Sequence, residues 1–222
     1  MTPLVHLEDV SKTFREGSIE RPVLRRADLE LHRGEMTSLV GTSGSGKSTL
    51  ISLLAGLMLP DSGRVVFDGD EISRLDDVAR AELRARRVGI VLQSGNLIPF
   101  LTATQNVELA MEFGARHDGA RATELLTGLG VSERLDHVPR RMSGGEAQRV
   151  SMAVALANDP DLLLADEVTG QLDSVSAERV MDVIFSAWRS RGLTVLYVTH
   201  NAELASRAER RLMLEDGEVR DL

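Results

Sequence analysis

The segment GTSGSGKS, residues 41–48, narrows what this chain can fold into more than any other stretch. It satisfies the pattern G-x-x-x-x-G-K-[S/T], enters from the apolar run EMTSLVG (35–41), and leads into STLISLLAGL (48–57), whose apolar residues recur at helical spacing. The spacing predicts a strand, a tight glycine loop and a helix. In that order the loop's backbone N–H groups converge on one point and the positive end of the helix faces the same point, which is a phosphate site. Lys47 stands out chemically, because Lys12 and Lys47 are the only lysines among 26 basic residues. A compact ammonium on a flexible stem reaches β- and γ-phosphates in a loop where a planar guanidinium fits less well. Gly41, Thr42, Ser43, Gly44, Ser45, Gly46, Lys47, Ser48 and Thr49 are therefore the candidate nucleotide-binding residues, with Lys47 also acting on the transferred phosphate.

Three more compact apolar runs, RVGIVLQ (87–93), DLLLADE (161–167) and LTVLYVTH (193–200), each end in polar residues, as strands buried on both faces do. Alternating with helical stretches, they predict an α/β protein with a mostly parallel sheet. Between Thr102 and Ala157, TATQNVELAMEFGAR, GARATELLTGLG and GGEAQRVSMAVALA read as helices broken at Gly114, Gly119, Gly130 and Pro139. This gives one domain: a phosphate-loop core over residues 1–93 and 159–222, with a helical subdomain inserted at 94–158. PLVHLEDVSKTF, VLRRADLELHRG and RRLMLEDGEVRDL alternate apolar and polar residues around turn signals, predicting antiparallel strands added to the sheet and, with them, an antiparallel β-subdomain.

Composition excludes several classes of function. The absence of cysteine removes disulfides, thiolate metal sites and thiol catalysis. A net charge of -8 argues against nucleic acid as the partner, and the arginine groups at 80–87 and 207–211 are expected to be solvated helix faces or local pairs. The longest apolar stretch, Leu50 to Leu59, is far shorter than the roughly 20 residues of a membrane-spanning helix. The opening MTPLVHLEDV lacks the charged and apolar regions of a secretory signal, so the chain is expected in the cytoplasm.

Two further features carry chemistry. DLLLADE ends in adjacent carboxylates: Ser48 and Asp166 are candidate Mg²⁺ ligands, and Glu167 is the candidate base for an attacking water. MSGGEAQR places Ser143 as an N-cap before Gly144 and Gly145, whose first-turn amides make a second helix N-terminus suited to phosphate.

GTSGSGKS, Gln93, MSGGEAQR, LLLADE, LDS (172–174) and a histidine at 200 occur together in the order and spacing that resembles the ATP-binding cassette (ABC) ATPases. LTATQNVELAM and LLLADEVTGQLD look most like the subgroup of macrolide-export, lipoprotein-releasing and cell-division ATPases. The resemblance implies ATP and Mg²⁺ as ligands and a head-to-tail homodimer with two ATPs between the loop of one subunit and the signature, Ser143, Gly144, Gly145 and Glu146, of the other. It implies that Gln93 approaches Mg²⁺ and the water, that His200 contacts the γ-phosphate, that Phe14 stacks on adenine, and that Asp173 lies at the dimer seam. It also implies an integral membrane permease as partner, which would hold the chain peripherally on the inner face of the membrane.

Three residues depart from the family pattern. Phe14 replaces the commoner tyrosine, Glu146 stands where glutamine is frequent, and Val168 follows Glu167 where the subgroup has proline. Proline would hold Glu167 in extended geometry; valine prefers extended conformations too but keeps its N–H, so activity is expected to be retained, and the departure bears on the fine positioning of Glu167. The loop SGNLIPFLTA is expected to expose Leu97, Ile98, Phe100 and Leu101 to the permease. Translation factors of the family carry two cassettes and chromosome-maintenance members a long coiled-coil insertion, neither of which is present. A mechanical transmitter that drives a permease-like partner without transporting a substrate is the alternative function.

Overall fold

The structure is a computed structural model that describes residues 2–17, 19–93, 96–116, 118–168, 170 and 174–222. In chain order the strands are β1 (Val5–Glu16), β2 (Ile19–Leu31), β3 (Met36–Val40), β4 (Ser62–Phe67), β5 (Asp70–Glu71), β6 (Val88–Val91), β7 (Leu162–Ala165), β8 (Thr194–Val198), β9 (Arg210–Glu215) and β10 (Glu218–Asp221). The helices are α1 (Lys47–Leu54), α2 (Asp77–Arg87), α3 (Ala103–Phe113), α4 (Arg121–Gly128), α5 (Gly144–Leu156), α6 (Ser174–Arg191) and α7 (Ala202–Ser206).

The central sheet runs β10-β9-β3-β8-β7-β6 and is parallel except for the β9–β10 hairpin. Its inner strands are buried on both faces and mostly apolar, with Thr37 and Ser38 of β3 and Thr194 of β8 as buried hydroxyls. Along β7, Leu162 and Leu164 enter one core while Leu163 and Ala165 enter the other; along β8, Leu196 and Val198 part from Val195 and Tyr197 in the same way. One core joins the sheet to α1 and the N-terminal strands, the other to α3–α6. Each buried leucine contributes roughly 1.5–3 kcal/mol.

The N-terminal strands form the expected antiparallel β-subdomain, as a sheet of their own and not as strands added to this one. They form a second, antiparallel sheet ordered β2-β1-β4-β5. The reason lies in their patterning: β2 buries Leu24, Ala27, Leu29 and Leu31 and leaves the other face in water, which a sheet covered on both sides cannot accommodate. The β4–β5 hairpin turns through Asp68 (φ 53°) and Gly69 (φ 90°), a turn with two left-handed residues that Asp-Gly supplies.

Helix starts follow their capping chemistry. Thr102 and Gln105 form a reciprocal capping box at α3, and Asp76 caps α2 by accepting the Ala79 N–H at 2.8 Å. Buried Asn106 of α3 accepts the Ile98 N–H at 2.7 Å and donates to Leu101 and Thr102 carbonyls at 3.1 and 2.9 Å. That side chain folds the preceding loop back on α3. Leu97, Ile98 and Leu101 are consequently half-buried, and only Phe100, 77% exposed, stands out as the sequence led one to expect of all four.

Tyr197 closes β8 against α7: its buried hydroxyl donates to the Leu204 carbonyl at 2.6 Å, pinning the loop that carries His200. Burial pushes this phenol up to about 12. A phenol raised in the folded state stays protonated where the unfolded chain ionises, so folding loses stability as pH rises above the usual 10. Because the chain has one tyrosine, its ultraviolet absorbance reports this group alone. Native protein is expected to show no phenolate at about pH 10.5, with denatured protein largely ionised there; a native midpoint near 10 would contradict the burial.

Candidate functional site

Parallel pairing puts the carboxyl ends of β3, β6, β7 and β8 on one rim, the edge at which open α/β sheets place ligands. Gly41 follows β3, Gln93 follows β6, Asp166 and Glu167 follow β7, and His200 follows β8.

The glycine loop is tight at both ends. A Cβ on Gly41 would lie 2.5 Å from the Leu214 carbonyl oxygen, and one on Gly46 (φ 105°) would lie 2.5 Å from Val23 Cγ1. Neither position accepts a side chain. Helix α1 then starts with no side-chain cap, leaving its first amides to another acceptor, and the Ser45 hydroxyl is buried without a partner among the described residues. Lys47 is buried and donates back to the Gly41 and Thr42 carbonyls at 3.0 and 2.9 Å. A glycine loop, an uncapped helix start and an ammonium form a cradle that fits a polyphosphate.

The acidic side of the rim faces this cradle. Asp166 is buried and hydrogen-bonds with Ser48. Burial raises its carboxyl pKa, the Ser48 bond and nearby Lys47 oppose that shift, and the Glu167 charge adds to it. Glu167 is held at both oxygens, Gln93 Nε2 donating to Oε2 at 3.0 Å and His200 Nε2 lying 2.5 Å from Oε1. Glu167 is not extended: its φ is +49°. Without proline at 168 nothing excludes that region, the Glu167 carbonyl accepts the Gly170 N–H at 3.0 Å in a tight turn, and buried Val168 anchors the turn in the helical-side core. A left-handed glutamate costs on the order of 1 kcal/mol, which its two side-chain partners offset. Hydroxyl and carboxylate oxygens at Ser48 and Asp166 suit a hard cation such as Mg²⁺. Among the described residues, no group of three or more His, Asp or Glu could hold a metal ion alone.

Lys47, Ser43, Gly44, Gly46, Ser48, Thr49, Gln93, Glu167, His200 and Phe14 line one cleft of about 600 Å³. Phe14 is 40% exposed and belongs to neither core. Arg15, Ile19, Arg21 and Val23 line the same cleft and escaped the sequence reading. Their signal was strand alternation: Ile19, Arg21 and Val23 are every second residue of β2, and Arg21 pairs across from Phe14. Arg21 has no carboxylate partner among the described residues.

Ser143, Gly144, Gly145 and Glu146 do not line that cleft. They start α5, where Ser143 Oγ accepts the Glu146 N–H at 3.3 Å and Glu146 Oε2 accepts the Ser143 N–H at 2.8 Å. Asp173 lies outside the described residues. Elsewhere, an apolar groove of about 640 Å³ between α2, α3 and α5 is lined by Val78, Ala81, Ala85, Ile90, Phe113 and Val154, with Val78 and Phe113 each 68% exposed.

A family model described as ABC transporter matches residues 24–170. A macrolide export ATP-binding/permease protein of Marinobacter nauticus is 44% identical over 222 residues, 98% of this chain and 34% of that protein. Its namesake in Brucella melitensis is 44% identical over 220 residues with the same coverage. The chain thus spans about a third of the length of these relatives. Among solved structures, a dimeric post-hydrolysis state of the ATP-binding cassette MJ0796 bound to ADP and Pi superimposes with a TM-score of 0.94 at 38% identity, covering 98% of this chain and 97% of that one.

Buried Asp166 makes a testable claim about stability. A carboxyl whose folded pKa is raised above 3.8 opposes folding while ionised, and that cost disappears as pH falls through the raised value. Asp166→Asn is therefore expected to raise the thermal midpoint of nucleotide-free protein at pH 7–8, with the gain shrinking on acidification. An unchanged or lower midpoint at pH 7 would mean that the Ser48 bond outweighs desolvation.

Proposed function

The chain belongs to the ABC transporter family, and from that premise we propose that it is the ATP-hydrolysing subunit that powers a membrane permease. The observation that carries the reading is Glu167, fixed at both oxygens on the rim of the cleft that Lys47 enters. ATP lies with its base against Phe14 and its phosphates in the loop 41–49. Ser48 and Asp166 would hold Mg²⁺, with Gln93 beside it, and the ion would supply positive charge to stabilise the transferring phosphoryl group. Each Glu167 oxygen keeps a lone pair beyond its present partner, so the carboxylate takes a proton as water attacks the γ-phosphorus. The bond from γ-phosphorus to the β–γ bridging oxygen breaks, and ADP departs. Lys47 stabilises the charge moving onto that oxygen, and His200 orients Glu167 and contacts the γ-phosphate.

The signature completes the site from a second copy of the chain. Two helix N-termini then meet one γ-phosphate, α1 from one subunit and α5 from its partner, an arrangement supported by the absence of residues 143–146 from the chain's own cleft. ATP closes this head-to-tail dimer and hydrolysis opens it, moving the helical segment 94–158 against the core. The permease docks in the apolar groove between α2, α3 and α5, where Val78 and Phe113 are exposed. That partner sets the location, on the inner face of a membrane.

Glu167→Gln is expected to bind ATP with parental affinity and to hydrolyse it about 10²-fold or more slowly, the scale of a general base; Lys47→Ala should lose nucleotide affinity. Turnover near parental in Glu167→Gln would remove the assigned base. For docking, Val78→Asp and Phe113→Asp should each abolish copurification with the permease and spare ATP binding by the isolated subunit. A complex that survives both changes would move the docking surface elsewhere.

A further inference from the structure

The two phosphate-facing helix starts differ in one respect that bears on charge. Helix α1 has no acidic residue in its first turn, whereas α5 carries Glu146 there. A carboxylate at that position stabilises an isolated helix by facing its positive end, and for the same reason it opposes an incoming phosphate at that end. The Ser143 N–H, and behind it the Arg134 guanidinium, hold the Glu146 carboxyl below its usual range, so the negative charge persists at neutral pH.

Arg134 reaches this carboxylate from outside any motif. It lies in the short helical turn Ser132–Arg134, twelve residues before Glu146, and its Nε donates to Glu146 Oε1 at 2.9 Å. Both side chains are at least two-thirds buried, which limits screening by salt. The other oxygen of Glu146 is taken by the Ser143 N–H at 2.8 Å, and Ser143 Oγ accepts the Glu146 N–H at 3.3 Å. The Ser143 side chain also hydrogen-bonds with the Glu146 carboxyl, and its hydroxyl proton can turn from that carboxylate to an arriving phosphate. Exposed Arg140 and Arg141 precede the signature and are cations open to water, whose effect on the same charge is screened.

We propose that Arg134 is a positioning residue of the composite ATP site: it neutralises and orients Glu146, so that the Ser143 cap presents a hydroxyl donor and an unopposed helix N-terminus to the γ-phosphate held by the partner subunit. This rests on the reading that the signature acts across the dimer. It also explains how a glutamate serves where the family often has glutamine, since the neutral amide makes the same capping box and needs no counter-charge.

The test is ATP-driven dimerisation in the Glu167→Gln background, where ATP is not consumed, measured by sedimentation at low and high salt with thermal midpoints alongside. Arg134→Met keeps the stem and removes the charge; it is expected to weaken dimerisation by about tenfold at low salt and less at high salt, the scale of a charge at a helix N-terminus acting in two sites. Adding Glu146→Gln to Arg134→Met should restore dimerisation to near parental, because the unpaired charge is gone. If Arg134 merely anchors its turn to α5, the double variant lacks the anchor too and stays weak, which would overturn the proposal, as would an unaltered Arg134→Met. Ser143→Arg serves as the reference: if it still dimerises with ATP, the composite site and this proposal fall together. If it does not dimerise and Arg134→Met behaves as the parent, the proposal alone falls.

Discussion

Parallel pairing of β3 with β8, of β8 with β7 and of β7 with β6 is the constraint on which the site depends. Four strands that run the same way end on the same edge, so a loop after residue 40, a glutamine at 93, an acidic pair at 166–167 and a histidine at 200 become neighbours without any contact in sequence. The same pairing explains the composition of the strands. Each must be apolar on both faces, and Leu162 to Ala165 alternate between two cores rather than between core and water. Within the strands the buried polar side chains are hydroxyls, Thr37, Ser38 and Thr194, and charged residues follow at the rim.

The rim spends stability on function at particular atoms. Asp166 is a buried carboxylate whose ionised form is disfavoured by its surroundings, and Glu167 occupies a left-handed backbone region that a glutamate rarely takes. Both costs are held by local partners, Ser48 for the first and Gln93 with His200 for the second. Val168 belongs to the same device. Proline there would restrict Glu167, whereas valine leaves its backbone free and fills the core with its side chain.

The glycine loop, the acidic pair, the signature and the strand runs were legible in the sequence because each is a local pattern with a local cause: a backbone that must turn, a helix end that needs an acceptor, a strand that must be apolar. What escaped depends on partners distant in the chain. The alternation of β1 and β2 revealed strands but not that one polar face forbids them from the central sheet. Asp68-Gly69 was a readable hairpin signal that went unused. Asn106 decided the burial of Leu97, Ile98 and Leu101 through bonds across eight residues, and the Arg134–Glu146 pair joins two segments with nothing in either to announce the other. Glu167 was placed on the right strand end while its backbone stayed unread, because its conformation follows from Gly170, Gln93 and His200 together.

The proposed site is built from two subunits, and covalently tied dimers test that proposal most directly. In a tandem of Lys47→Ala with Ser143→Arg, action across the dimer leaves one complete site, formed by the loop of the second subunit and the signature of the first. A tandem of the unmodified chain with the double variant leaves none. Vanadate, a phosphate mimic, scores each tandem by the radiolabelled nucleotide it traps, alongside its ATPase activity. Trapping in the first tandem and its absence in the second is the predicted result. Trapping in the second and none in the first would place the signature and the loop of one site in a single chain, and contradict the composite site.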